Sequence, residues 1–239
     1  MTRGDIMFLT GYYGAADVTQ IVLILGALAI TGLASLYIKI NYNKFKEVLV
    51  KKKYTGFDTA REILDKNGLS DVLILEVQGE LTDHYDPKKK VVSLSTDIYH
   101  GTSIASVAVA AHECGHALQD KEGYSFLKLR HTLIPFVKFS SIAGYIAIAI
   151  SILAGILDLL WVGIALECVI LLFQIITLPV EFNASSRALT QIENLNIVEK
   201  DEKEGCKKML TSAALTYVAS VLSALAQIFR LVLIGSRRR

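Results

Sequence analysis

The chain carries its apolar residues in three long blocks set between polar stretches. The first runs from Val18 to Tyr37, "VTQIVLILGALAITGLASLY", about twenty residues without a charge and long enough to cross a bilayer. It is too long for a signal-peptide core, its basic residues follow it rather than precede it, and no small-residue cleavage site stands out. It therefore reads as an uncleaved anchor. The second block, Phe139 to Val180, is about forty residues whose only charges are Asp158 and Glu167, and it suits a hairpin of two spans turning near "ILDLLW". The third, Leu210 to Phe229, is rich in alanine and serine and ends against Arg230. Such small residues let membrane helices approach closely, and they equally suit a helix lying against the others.

Between the first and second blocks the periodicity changes. "FDTAREILDKNGL" places Ala60, Ile63 and Leu64 at helical spacing, with Asp58 as N-cap and Gly68 as stop. "DVLILEVQGELTDHYDPKKKVVSLS" reads as strand, short connection, strand, a turn at Asp86-Pro87-Lys88-Lys89, and a third strand. The next stretch has no breaker and predicts a helix from Ser103 to Gln119, closed by Gly123. The strand "KVVSLS" is expected as an exposed edge able to pair with an extended peptide, and lysines in the preceding turn also protect ordinary edges.

Basic residues orient the spans. Only Arg3 precedes the first block, whereas Lys39, Lys44, Lys46, Lys51, Lys52 and Lys53 follow it, so residues 39–138 are expected in the cytoplasm. A hairpin returns 181–208 to the same side, in keeping with Arg187, Lys200, Lys203, Lys207 and Lys208. If 210–229 also crosses, the "SRRR" tail lies outside, against the rule, and the sequence leaves that open. The run "KEVLVKKK" is most simply the positive flank of the anchor.

Composition agrees with a membrane protein: 52% of the 239 residues are hydrophobic and mean hydropathy is +0.44. A net charge of +2 gives no reason to expect nucleic acid. Cys114, Cys168 and Cys206 are odd in number and widely spaced, which fits a reducing compartment and no disulfide framework.

The predicted helix at 103–119 holds "AAHECGHALQD". Residues four apart on a helix share a face, so His112 and His116 reach one ion, and Glu113 lies one step round, placed to hold water without ligating. By chance this chain's composition yields HExxH in roughly one sequence in two hundred, so context must add weight. The surrounding helix is small and apolar, which suits a water-poor pocket. Zinc in such sites takes a third protein ligand and leaves its fourth position to water. The best third candidate is Glu181 in "LPVEFNASSRAL", with Pro179 at a helix start and Glu181, Ser185 and Ala188 along one face. Cys114 lies roughly opposite the histidines and reads as packing. Glu167, expensive at mid-span, reads as a helix-to-helix contact with a polar group such as Gln174 or Lys138.

The stretch "DHYDPKKKVVSLSTDIYHGTSIASVAVAAHECGHALQ", followed by membrane helices and "EFNASSRAL", resembles the neutral zinc metallopeptidases of bacterial membranes, the YugP type. The resemblance covers most of the chain after the first span. A more distant likeness is to the HtpX and CAAX prenyl protease group, in which a glutamate on a later helix supplies the third ligand. The resemblance implies one Zn2+ held by His112, His116 and Glu181, with Glu113 as general base. Zinc lowers the pKa of its water, and Glu113 takes the proton and later returns it to the leaving amine. The distant group has an aspartate where this chain has Ser185, so that aspartate's role does not carry over. For a donor to the developing oxyanion, His84, Tyr85, Tyr99, His100 and His131 stay open. Three of these, His84, His100 and His131, read more simply as surface or structural.

The expected whole is a mainly α membrane protein with a small β-hairpin sheet and an HExxH zincin-like core on three to four transmembrane helices. Its parts are residues 1–17 as an external segment, 18–38 as the anchor, and 39–138 as the cytoplasmic catalytic segment. Then come 139–180 as a transmembrane hairpin, 181–208 as the third-ligand helix and loop, and 209–239 as a hydrophobic helix with a basic tail. The function read from it is a membrane-anchored zinc endopeptidase of the cell's inner membrane, acting on peptides or membrane-protein segments, with the bilayer as partner. Two other classes compete. A site-2-type intramembrane protease would embed HExxH in a span and carry a later LDG motif, which is missing here. A scaffold with a structural metal would close all four positions.

Overall fold

A computed structural model describes residues 3–237, with side chains from Val18 to Ser236. Seven helices and three strands follow in the order α1 (Arg3–Lys46), α2 (Gly56–Lys66), β1 (Leu73–Val77), β2 (His84–Asp86), β3 (Val91–Ser95), α3 (Thr96–His100), α4 (Ile104–Lys121), α5 (Ser125–Ala154), α6 (Leu157–Asn194) and α7 (Lys203–Arg237). The fold is mainly helical with one small sheet. Four helices among the described residues are long and apolar enough to cross a membrane: Val18–Lys46, Ser125–Ala154, Leu157–Asn194 and Lys203–Ser236. The third apolar block therefore lies in a helix long enough to span. The expected external segment 1–17 runs into α1 from Arg3, and its side chains lie outside the described residues.

The chain divides into two compact units. One contains Met1–Leu33, Ile134–Gln174 and Ala219–Arg239, the apolar parts of the long helices. In it α5 ends at Ala154, Gly155 takes a left-handed φ of 72°, and α6 starts at Leu157. The turn thus falls before Asp158 rather than around it, because only glycine takes that conformation without strain. Leu160, Ile164 and Leu231 are buried together with Ile148, and Trp161 packs against them.

The other unit contains Ala34–Leu133 and Ile175–Val218. Here α2 begins one turn earlier than expected: Thr55, not Asp58, is the N-cap, and Asp58 at N3 completes a capping box with it. Its buried face is Gly56, Thr59, Ala60, Ile63 and Leu64. A side chain at Gly56 would run into the Ile98 carbonyl, so this close approach needs glycine. Ile63 and Leu64 are wholly buried, and each contributes roughly 1.5–3 kcal/mol by leaving water.

The sheet order is β1-β3-β2, with β1 parallel to β3 (Leu73 opposite Val91) and β2 antiparallel to it (Tyr85 opposite Val92). The expected edge role of "KVVSLS" is therefore wrong: β3 is the central strand and all five residues are buried. Ser93 and Ser95 are buried along with Val92 and Leu94, so both faces of β3 are covered. The short helix α3 separates β3 from α4.

α4 starts where expected, with Ser103 as N-cap accepting from Ser106 N. Val50 N donates to Thr102 O at 2.8 Å and Ile104 N to Val48 O at 2.8 Å, which pins this start to the chain leaving α1. Fourteen of its eighteen residues are buried. Small side chains such as Ala105, Ala108 and Ala111 allow this by letting neighbours close in on several sides.

Candidate metal centre

Two helices build the site. α4 presents His112 and His116 on one face, and α6 brings Glu181 against them. α6 does not begin at Pro179 as expected. It is continuous from Leu157 to Asn194 with Pro179 inside it, and Glu181 follows two residues later. Both Val180 and Ala184 are wholly buried, so this stretch of α6 presses directly on its neighbours. Gly115, the variable position before His116, makes the approach possible: a Cβ there would lie 2.5 Å from the Ala184 carbonyl oxygen.

The Glu181 Oε2 atom lies 3.3 Å from His112 Nε2 and 3.6 Å from His116 Nε2. All three candidate ligand atoms fall within 4.8 Å of one another. Two ligands each about 2.1 Å from a tetrahedral ion sit about 3.4 Å apart, so these separations match the edges of a zinc site. Two imidazole nitrogens and one carboxylate oxygen are also a donor set that zinc takes in catalytic sites, leaving a fourth position open. The residues present fit zinc.

The groups behind the ligands orient them. With Nε2 turned to the metal position, His112 Nδ1–H donates to Ser185 Oγ at 3.2 Å, and His116 Nδ1–H donates to Gln119 Oε1 at 3.0 Å. Gln119 is wholly buried and its Nε2 donates to Val180 O at 2.8 Å and Asn183 Oδ1 at 2.9 Å. It thereby ties the histidine helix to the glutamate helix. Arg130 Nη1 donates to the other Glu181 oxygen at 3.0 Å. Ser185 is thus a neutral partner of His112.

Burial raises the Glu113 carboxyl above its ordinary pKa, partly offset by His112 and His116. For His116, burial opposes the charged form, yet its hydrogen bond with Glu181 and the nearby Glu113 charge prevail and raise its pKa.

A cavity of about 180 Å³ opens at the triad, lined by His112, Glu113 and Glu181 with Asp83, Tyr217 and apolar residues including Val109, Met209 and Leu210. Asp83 accepts from Ser95 N at 2.7 Å, which locks the chain entering β2 onto the end of β3. Cys114 faces away, wholly buried, with its thiol toward Ala60 O at 3.7 Å. None of the five open oxyanion candidates lines the cavity. Tyr85 donates to Asp120 at 3.0 Å, the Tyr99 ring lies tilted against Phe57 with centroids 5.1 Å apart, and His100 pairs with Glu76 at 3.2 Å. His84 bonds to Thr82 O at 2.8 Å. Tyr217, which is not one of those five, lines the cavity, and its side chain interacts with Glu181.

Gln119, Arg130 and Tyr217 escaped the sequence reading. Gln119 carried a signal, since a residue three after His116 on a helix is its neighbour. Arg130 and Tyr217 reach the site only through tertiary packing. The HExxH helix itself is not among the four described helices long and apolar enough to cross a membrane.

Fold and site together define a multi-span membrane protein with a His–His–Glu group of the kind that holds zinc in hydrolases. The chain belongs to the family described as "Putative neutral zinc metallopeptidase", whose model matches residues 20–236. It is 45% identical over 214 residues to the "Putative membrane protease YugP" of Bacillus subtilis (strain 168), a match covering 90% of this chain and 95% of that protein. No solved structure matches the chain. At family level it is a membrane zinc protease.

Proposed function

We propose that this chain is a zinc endopeptidase in which His112, His116 and Glu181 hold one zinc ion and Glu113 is the general base. The observation that carries the reading is the buried Glu181 carboxylate, brought by α6 to 3.3 and 3.6 Å from the two histidine Nε2 atoms of α4. Zinc bound there supplies a Lewis acid that brings the pKa of water toward neutrality. Glu113, beside the triad in the same cavity, takes the proton from the attacking water and passes it to the leaving amine. Its burial favours the protonated form and so helps it hold that proton between the two steps. Tyr217 donates to the oxygen of the scissile carbonyl as charge develops there. Arg130 holds Glu181 in place through its second oxygen.

Substrates are peptides or membrane-protein segments near the bilayer surface. The lysine-rich flank after the first span supports a site facing the cytoplasm from the inner membrane. β2 has one unpaired side and follows the cavity-lining Leu81 and Asp83, so an extended substrate pairs there rather than with β3. The open cavity beside His112, Glu113 and Glu181 supports a site that would leave room for water and substrate rather than a closed structural metal.

The test compares detergent-purified wild type with Glu113→Gln and Glu181→Ala for zinc content and peptide hydrolysis. One zinc per chain is expected in wild type and in Glu113→Gln, with hydrolysis lost from the latter by at least about a hundredfold, and zinc lost from Glu181→Ala. Turnover that survives Glu113→Gln overturns the reading.

A further inference from the structure

Glu167 lies ten residues into α6, about 15 Å along the helix from Leu157, near the middle of a bilayer core about 30 Å thick. It is only 7% exposed. Neither Gln174 nor Lys138 bonds to it, contrary to the contact expected from the sequence, and it has no hydrogen-bond or ion-pair partner among the described residues. Instead it lines a cavity of about 330 Å³ with Gln174, Gln227, Ser141, Ser220 and Thr31. The whole lining belongs to one compact unit.

The chemistry of that lining is one-sided. It holds a carboxyl, two amides and several hydroxyls, and no lysine, arginine or histidine among the described residues. Thr31 and Ser223 bond to each other at 2.7 Å, so both are already engaged. Gln174 Oε1 is buried with no hydrogen-bond partner. The Glu167 carboxyl thus lines the cavity with no positive charge beside it among the described residues, next to a glutamine whose amide oxygen has no hydrogen-bond partner. An ionised residue inside a bilayer is costly and normally marks an ion or substrate site. At about 30 Å³ per water the space holds roughly ten waters, enough for a small cation that keeps part of its hydration. One carboxylate neutralises one charge, which favours a monovalent occupant, and carboxyl, hydroxyl and amide oxygens in the lining suit hard cations and ammonium groups.

We propose that this cavity is an intramembrane binding site for a monovalent cationic group, with Glu167 as its counter-charge and Gln174 Oε1 as a neutral oxygen ligand. The group is either a free cation or the ammonium head of a lysine on another membrane-spanning segment. This binding does not depend on the zinc chemistry.

The experiment is thermal unfolding of the full-length protein in detergent, titrated with sodium, potassium or methylammonium chloride, with choline chloride holding ionic strength constant. Zinc content is read in parallel. In wild type the Tm rises saturably, by about 5 °C or more once the cation is about a hundredfold above its Kd. The rise is absent in Glu167→Gln and reduced in Gln174→Leu, both with zinc content unchanged. A response to sodium or potassium identifies a free cation, and a response to methylammonium alone identifies an ammonium head. No cation-specific rise in wild type, or an equal rise in Glu167→Gln, overturns the proposal.

Discussion

Replacing Gly115 with alanine tests whether the metal centre depends on how closely α4 and α6 approach. The added Cβ would sit 2.5 Å from the Ala184 carbonyl oxygen, 3.0 Å from its carbon and 3.1 Å from Cα, all backbone atoms of α6. Ordinary contact begins near 3.4 Å, so the helices must part by about 3.4 − 2.5 = 0.9 Å. Two effects oppose each other. Alanine in a helix interior gains about 0.5–1 kcal/mol over glycine, while overpacking against a rigid neighbour costs about 1–3 kcal/mol. The net is a loss of about 1 kcal/mol, or a fall in Tm of about 2–4 °C for a chain of this size. The larger consequence is for zinc. Glu181 lies three residues before Ala184 on the helix that is pushed, and metal–ligand distances tolerate only about 0.2 Å. Zinc affinity should therefore fall at least about tenfold, which is about 1.4 kcal/mol and separable from the loss of stability because the zinc-free protein is melted in parallel. The assay is competition against a chromophoric chelator in detergent, alongside a melting curve of the zinc-free protein. Wild-type zinc affinity in Gly115→Ala would refute the reasoning, because the third ligand would then not be fixed by this contact.

Two further outcomes follow from the groups behind the histidines. Gln119→Leu removes the acceptor for His116 and both ties to α6; zinc affinity should fall about 10–100-fold, read by the same competition. For Ser185, which accepts from His112 at 3.2 Å, alanine should weaken zinc binding about tenfold. Aspartate at 185 should restore or exceed wild-type affinity, since a charged partner makes the imidazole more basic. Weaker zinc binding by Ser185→Asp than by Ser185→Ala would count against that role for Ser185.

Much of the molecule follows from local pattern alone. The apolar blocks mark the long helices because a bilayer demands about twenty uncharged residues in a row, whatever packs beside them. The HExxH spacing puts His112 and His116 on one face because four residues nearly complete a helical turn. Ser103 and Gly123 bound α4 because caps and left-handed glycines act through the immediate backbone. Other features depend on partners distant in the chain. β3 is central because β1 joins it in parallel, a pairing that no hairpin turn announces. α6 runs through Pro179 because burial of Val180 and Ala184 rewards the continued helix, so a residue that reads as a start lies within one. Arg130 and Tyr217 meet Glu181 from other helices, and no spacing in the sequence encodes that meeting. Glu167 was legible as an anomaly from its composition alone, while its cavity, set by four helices, was not. The sequence by itself thus determined the candidate ligands and the candidate spans, which are properties of short segments; the tertiary structure decided what surrounds those side chains and that carboxyl, because both arise from contacts between segments far apart.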